Sequence, residues 1–263
     1  MNILDELAAH AVERVAAARF DIDPEEMGRR AYESEPGTHE FMKALSKDGL
    51  SFICECKKAS PSKGVIAPEF PYLDIAKDYE AAGADAISVL TEPKWFMGKD
   101  KYLKDISQNV GLPCLRKDFT VDAYMIYEAK VLGASAVLLI VSILDKLRIR
   151  DYLNVCDGLG LDALVEIHDE READIALDAG AGIIGVNNRN LKDFTVDTEN
   201  SAKLRRMIPE DVIFVSESGI RGSDDVKRAV DIGADAVLIG ETLMRAPDKK
   251  QMLDSLRREI LHG

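Results

Sequence analysis

The sequence predicts an α/β chain of the (β/α)8-barrel class, and three observations predict it. A weak internal repeat reads GADAISVL from Gly83, GASAVLLI from Gly133, GAGIIGVN from Gly180 and GADAVLIG from Gly233. The copies stand roughly 50 residues apart, too far for one βα unit and right for two. Between them lie four further apolar stretches, at 52–57, 113–117, 163–168 and 212–216, which brings the candidate strands to eight. The intervals carry helical periodicity, for example at 73–82, 123–132, 170–179 and 223–232, and each of these is followed by a glycine. A glycine suits the residue that ends a helix in left-handed conformation. Near-continuous apolar strands alternating with helices imply a parallel sheet covered on its outside. Eight such units fit the length of a closed barrel. A doubly wound open sheet is the alternative on this pattern.

Taken in order, residues 1–45 read as helical and mostly polar. Leu4, Leu7, Ala8, Ala11, Val12 and Val15 recur at helical spacing, so the first helix is amphipathic and does not resemble a signal peptide. Asp23-Pro24 is a helix start, with Asp23 as N-cap and Pro24 at the first position. We expect 1–263 to be one barrel domain, of which 1–45 is an N-terminal helical extension. No linker, low-complexity tract or charge block divides the chain.

Composition narrows the function. The chain has 263 residues, 46% of them hydrophobic, and a formal net charge of −13. That charge argues against nucleic acid and anionic membranes as partners. No run of about 18 apolar residues is present, so no membrane span is expected. Cys54, Cys56, Cys114 and Cys156 sit mostly in apolar stretches and fit reduced thiols in a cytoplasmic protein. Cys54 and Cys56 lack a second Cys/His pair at ligand spacing, so a metal site is not expected.

The first strand carries the first chemical signal. Glu55 and Lys57 interrupt an apolar run, and residues two apart on a strand share a face. A carboxylate and an ammonium at the end of a buried strand are costly unless paired or used. The turn that follows, Ser60-Pro61-Ser62-Lys63-Gly64, offers hydroxyls, backbone N–H groups and a cation to an anion. In barrels of this class the active site lies at the C-terminal strand ends. Polar residues cluster there again at Lys117-Asp118, Glu166-Ile167-His168, Asn187-Asn188-Arg189 and Glu217-Ser218-Gly219. Alternation places Glu55, Lys57, Lys117, Glu166, Asn187 and Glu217 on inward faces, so they are expected to converge in one cavity. Gly219 and Gly240 open the loops after the last two strands, where such barrels often hold phosphate. Glu241 beside a phosphate is unfavourable unless its side chain turns away.

These residues resemble a known family. The stretches ECKKASPSKG (55–64), LTEPKWFMG (90–98), LRKDF (115–119), LVEIH (164–168), GVNNRNL (185–191), SESGI (216–220) and LIGETLM (238–244) are similar, in this order, to those of indole-3-glycerol phosphate synthases. The likeness runs from about residue 3 to 255. It implies a (β/α)8 barrel with an N-terminal helical extension, acting in tryptophan biosynthesis as a lyase and decarboxylase without cofactor or metal. The implied substrate is 1-(2-carboxyphenylamino)-1-deoxyribulose 5-phosphate, an anionic phosphosugar–anthranilate. By the same resemblance Lys117 is the general acid of ring closure and Glu166 the general base. Lys57, paired with Glu55, holds the substrate and is available as an acid in dehydration. Asn187, Arg189, Glu217 and Ser218 match substrate contacts, and Ser60, Gly219 and Gly240 match phosphate contacts. Phe96, Phe119 and Leu191 would wall the anthranilate ring. Trp95, Lys99, Met125 and Glu241 depart from the family's usual residues. A cytoplasmic monomer is expected, with docking to neighbouring pathway enzymes open. Rival readings are a Schiff-base aldolase using Lys57 or Lys117, a phosphoribosylanthranilate isomerase and a non-catalytic phosphosugar-binding protein.

Overall fold

The computed structural model describes residues 3–190 and 194–258. Three helices precede the first strand: α1 (Ile3–Asp21), α2 (Pro24–Glu33) and α3 (Glu40–Leu45). The Asp23 carboxylate accepts the Glu26 N–H at 3.0 Å, so the expected cap and the Pro24 start hold. The buried stripe of α1 is narrower than its periodicity implied. Leu4, Leu7, Ala11 and Val15 are buried, whereas Val12 is 57% exposed.

Strand β1 (Ser51–Cys56) is followed by a small hairpin, β2 (Ala59–Ser60) and β3 (Gly64–Val65), which gives the polar turn a defined shape. The chain then alternates: α4 (Tyr72–Ala81), β4 (Ala86–Leu90), α5 (Asp100–Ser107), β5 (Cys114–Lys117), α6 (Ala123–Val131), β6 (Ala136–Ile140), a 3₁₀ turn (Val141–Ile143), α7 (Lys146–Gly158) and β7 (Asp162–Ile167). It continues through α8 (Glu170–Ala179), β8 (Ile183–Asn187), α9 (Glu199–Arg205), β9 (Ile213–Glu217), α10 (Ser223–Asp231), β10 (Ala236–Ile239), α11 (Glu241–Arg245) and α12 (Lys249–Arg257). Strands β1 and β4 to β10 are all parallel and close into a barrel in the order β1-β10-β9-β8-β7-β6-β5-β4. The closed sheet rules out the open-sheet alternative. The four repeat copies supply β4, β6, β8 and β10, and Gly83, Gly133, Gly180 and Gly233 all take positive φ where a helix ends.

Alternation divides the strands into two cores. Ile53, Leu115, Leu164, Val215 and Leu238 fill the barrel, and Leu4, Leu7, Phe41 and Leu45 join them from outside the sheet. Phe52, Val89, Val137, Val165, Phe214 and Val237 face the surrounding helices, as do Cys54, Cys56 and Cys114. All four thiols are free and buried. Burial pushes the Cys114 thiol up to about 12, out of reach of thiolate chemistry at neutral pH.

The N-terminal helices pack at both ends of the barrel. Helix α3 sits at the strand starts, where the Met42 N–H donates to Asp162 at 2.8 Å and Ser51 Oγ donates to the Ala44 carbonyl at 3.2 Å. Helix α1 sits at the strand ends. Arg14 grips Asp118 through Nη1 at 3.1 Å and Nη2 at 2.6 Å, and His10 Nδ1 lies 3.2 Å from the fully buried Glu92. Arg116 points outward from β5 yet is 2% exposed. Its guanidinium donates to Asp100 at 2.8 Å, to Glu128 at 2.7 Å and to the Met125 carbonyl at 3.0 Å, which compensates its desolvation.

Candidate active site

A cavity of about 600 Å³ opens at the C-terminal end of the barrel. All the expected site residues within the described part of the chain line it: Glu55, Lys57, Ser60, Phe96, Lys117, Phe119, Glu166, Asn187, Arg189, Glu217, Ser218, Gly219 and Gly240. Leu191 lies outside the described residues.

Barrel closure assembles the centre of the site. Lys117 ends β5, Glu166 stands on β7 and Glu217 ends β9, all on inward faces. Lys117 Nζ lies 3.0 Å from Glu166 Oε2 and 3.0 Å from Glu217 Oε2. Both carboxylates are 2% exposed. A second pair stands at the end of β1, where Lys57 Nζ is 2.5 Å from Glu55 Oε2. Glycines make room for both groups. A Cβ on Gly185 of β8 would collide with Glu217 Oε1, and a Cβ on Gly240 would strike the Glu55 carboxylate and stand 2.7 Å from Lys57 Nζ. Gly240 was expected to let backbone approach a ligand. What occupies its missing side chain is the Glu55–Lys57 pair.

Electrostatics separates the two carboxylates beside Lys117. Burial raises the pKa of each. At Glu166 the Lys117 ammonium and the His168 imidazole outweigh burial and hold the carboxyl well below its ordinary range. At Glu217 burial wins over Lys117, helped by the charge of Glu166, and the carboxyl rises to about 7. Glu217 Oε1 is buried and has no hydrogen-bond partner among the described residues, in line with a group that readily takes a proton. Burial lowers the Lys117 pKa, but Glu166, Glu217 and Glu55 raise it further, so the ammonium stays charged.

The loops after β8 and β9 are tied together. Asn187 Oδ1 accepts the Ser218 hydroxyl at 2.9 Å and the Arg189 N–H at 3.0 Å. Its neighbour Asn188 is buried and structural, accepting the Ser201 hydroxyl at 2.9 Å and donating to the Ser218 carbonyl at 3.1 Å. Ser218 and Gly219 have φ of 66° and 91°, a left-handed turn that only the glycine adopts without strain. The apolar side of the cavity includes Phe96 and Phe119, with ring centroids 6.1 Å apart, and Leu90 and Leu138. Trp95 packs edge-on against His10 of α1 at 5.4 Å. Glu241 turns toward Arg245, 3.0 Å from its Nε.

Several lining residues were not read from the sequence. Arg221 and Arg245 add cations to the lining, and Ile3 and Leu7 of α1 reach the mouth. The signal available for Gly185 was a glycine inside a strand, a mark of close approach. His168, which shares a face with Glu166 by alternation, lies 3.4 Å from it. Among the described residues no group of three or more His, Cys, Asp or Glu side chains is placed to hold a metal.

A closed parallel barrel with a half-buried ammonium between two buried carboxylates at its C-terminal mouth defines a (β/α)8-barrel enzyme equipped for acid–base chemistry. Solved structures share the fold. A thiamine phosphate pyrophosphorylase from Pyrococcus furiosus superposes with a TM-score of 0.61 at 17% identity, over 81% of this chain and 97% of its own. Relatives in sequence are far more similar. The indole-3-glycerol phosphate synthase of Ruminiclostridium cellulolyticum is 59% identical over 82% of this chain and 84% of its own. That of Lacticaseibacillus casei is 50% identical over 97% of this chain and 98% of its own. The sequence profile described as indole-3-glycerol phosphate synthase matches residues 4–256, and the chain belongs to that family.

Proposed function

We propose that this chain closes, decarboxylates and dehydrates 1-(2-carboxyphenylamino)-1-deoxyribulose 5-phosphate, with Lys117 as general acid and Glu166 as general base. The activity, that of a carboxy-lyase giving indole-3-glycerol phosphate, CO₂ and water, rests on the family. The residue roles rest on one observation above all: a half-buried ammonium at equal distance from two buried carboxylates, of which Lys117 and His168 hold one below its ordinary range while burial raises the other.

In the first step the ring carbon bearing the carboxylate attacks the ketone carbon. Negative charge develops on the ketone oxygen, and the Lys117 ammonium delivers a proton there. Loss of CO₂ returns its electron pair to the ring and restores aromaticity. Dehydration follows. Lys57, held by Glu55, protonates the departing hydroxyl, and Glu166 takes a proton from the methylene carbon next to the nitrogen. Glu217 holds Lys117 on its other side, and its readiness to take a proton lets the ammonium lose its own without stranding a second buried charge. Phe96 and Phe119 face the anthranilate ring. Asn187, Arg189 and Ser218 bind the polyol, and Ser60, Gly219 and Gly240 bind the phosphate. The buried free thiols suit a cytoplasmic setting, and we infer a monomer there.

Incubation of the purified protein with this substrate should give indole fluorescence and CO₂ in equal amounts. Substrate left unchanged by folded protein would overturn the assignment.

A further inference from the structure

We propose that His168 is a positioning residue: it clamps the Glu166 carboxylate on the side away from Lys117 and, backed by Glu172, keeps it ionised and aimed into the cavity. This rests on the reading of Glu166 as the base. His168 follows β7 directly, two residues after Glu166, so alternation turns both toward the same side. Its Nε2 lies 3.4 Å from Glu166 Oε1, while Lys117 holds the other oxygen, Oε2. Its Nδ1 lies 3.1 Å from Glu172 Oε2, with Ser142 Oγ at 3.3 Å. Both ring nitrogens therefore lie within ion-pair distance of carboxylates, Nε2 being buried with no hydrogen bond among the described residues, and only the doubly protonated ring carries the charge that pairs with both.

The ring is held from several elements. The His168 N–H donates to Glu172 Oε2 at 2.8 Å, Ser142 Oγ from the 3₁₀ turn donates to Glu172 Oε1, and Asn200 Nδ2 from α9 donates to the His168 carbonyl at 3.1 Å. The charged groups facing it among the described residues are Glu166 from β7 and Glu172 from α8, with Lys117 and Glu217 behind Glu166. Burial lowers the imidazole pKa, but the two carboxylates raise it to about 10. Glu166 thus lies between two cations, whereas among the described residues Glu217 pairs with Lys117 alone. That asymmetry accounts for the opposite displacement of their carboxyls. It also gives Glu166 a partner when Lys117 surrenders its proton to the substrate.

The test compares the pH dependence of kcat and KM in His168→Leu and His168→Asn with wild type, alongside Glu166→Gln and thermal unfolding of each. In His168→Leu, kcat should fall about tenfold or more as the base loses its orientation, with KM within about twofold. The acidic limb of the kcat profile should move to higher pH, because the removed charge no longer opposes protonation of Glu166. His168→Asn, which keeps a neutral donor, should recover part of kcat and leave the limb displaced. A folded His168→Leu with the wild-type profile would overturn the proposal, as would a fall in kcat and unfolding temperature with the limb unmoved. If His168→Leu does not fold, His168→Asn decides by the same limb. Glu166→Gln separates the two readings. Loss of its turnover with an unchanged His168→Leu sinks only the clamp, whereas retained turnover sinks the base assignment beneath it.

Discussion

Replacing Lys117 by methionine removes the ammonium and keeps a side chain of similar length. The native Nζ lies 3.0 Å from each of two carboxylate oxygens, and both carboxylates are 2% exposed. Breaking a buried pair by deleting one partner costs about 3–5 kcal/mol when the remaining charge stays in place. Two responses soften that cost here. Glu217, whose carboxyl burial raises to about 7, takes up a proton, and Glu166 keeps His168. We therefore expect a stability loss of about 1–3 kcal/mol, smaller at pH 5.5 than at pH 8 because Glu217 is neutral at the lower pH. The effect on chemistry should be larger. A positioned general acid contributes about 10²–10⁴-fold, equivalent to roughly 3–5 kcal/mol of barrier at ~1.4 kcal/mol per tenfold. kcat should fall by that factor, while affinity for an unreactive substrate analogue changes little. Indole fluorescence and calorimetric unfolding on one preparation separate the two effects. A folded Lys117→Met protein that keeps more than about a tenth of wild-type turnover refutes the acid role.

Two further outcomes follow from the same geometry. Gly240→Ala should push the Glu55–Lys57 pair out of place, because its Cβ would meet Glu55 and lie 2.7 Å from Lys57 Nζ; kcat should drop at least about tenfold by misplacement alone, and an unchanged kcat in steady-state assays would show that the pair does not act. Glu217→Gln should flatten the pH dependence of stability. The native carboxyl is raised from 4.5 to about 7, so its contribution is fully present below about pH 4.5 and is lost as pH rises through 7. Removing it should abolish up to ~3 kcal/mol of that decline, measured as unfolding free energy at pH 5 and pH 8; a parallel decline in the variant contradicts a raised Glu217.

Much of this was legible in the sequence because two periodicities carry it. The 50-residue echo marks alternate strands, and the period-two pattern within each strand sorts Lys117 and Glu166 to the inside and Arg116 to the outside. The four strands read between the repeat copies lie within one residue of their places, and the four in the copies begin three residues after the leading glycine, which ends the preceding helix. What the sequence did not yield depends on closure, which brings together residues far apart in the chain. Gly240 meets Glu55 only because β10 pairs with β1, and Gly185 meets Glu217 only because β8 lies beside β9. Alternation puts the Arg116 side chain on the outer face of β5. Its burial follows from Asp100 on α5 and Glu128 on α6, whose packing no local pattern announces. The exposure of Val12 has the same origin: helical spacing marks a wide apolar face, but the barrel mouth covers only part of it.

The division of labour between Lys117 and Glu166 is tested most directly by rapid-quench analysis of Glu166→Gln, following CO₂ and indole in a single turnover. If Lys117 drives closure and Glu166 acts in dehydration, CO₂ should appear at close to the wild-type rate while indole formation slows by about 10²-fold or more. CO₂ and indole slowing together, or both remaining fast in the folded variant, would contradict the account.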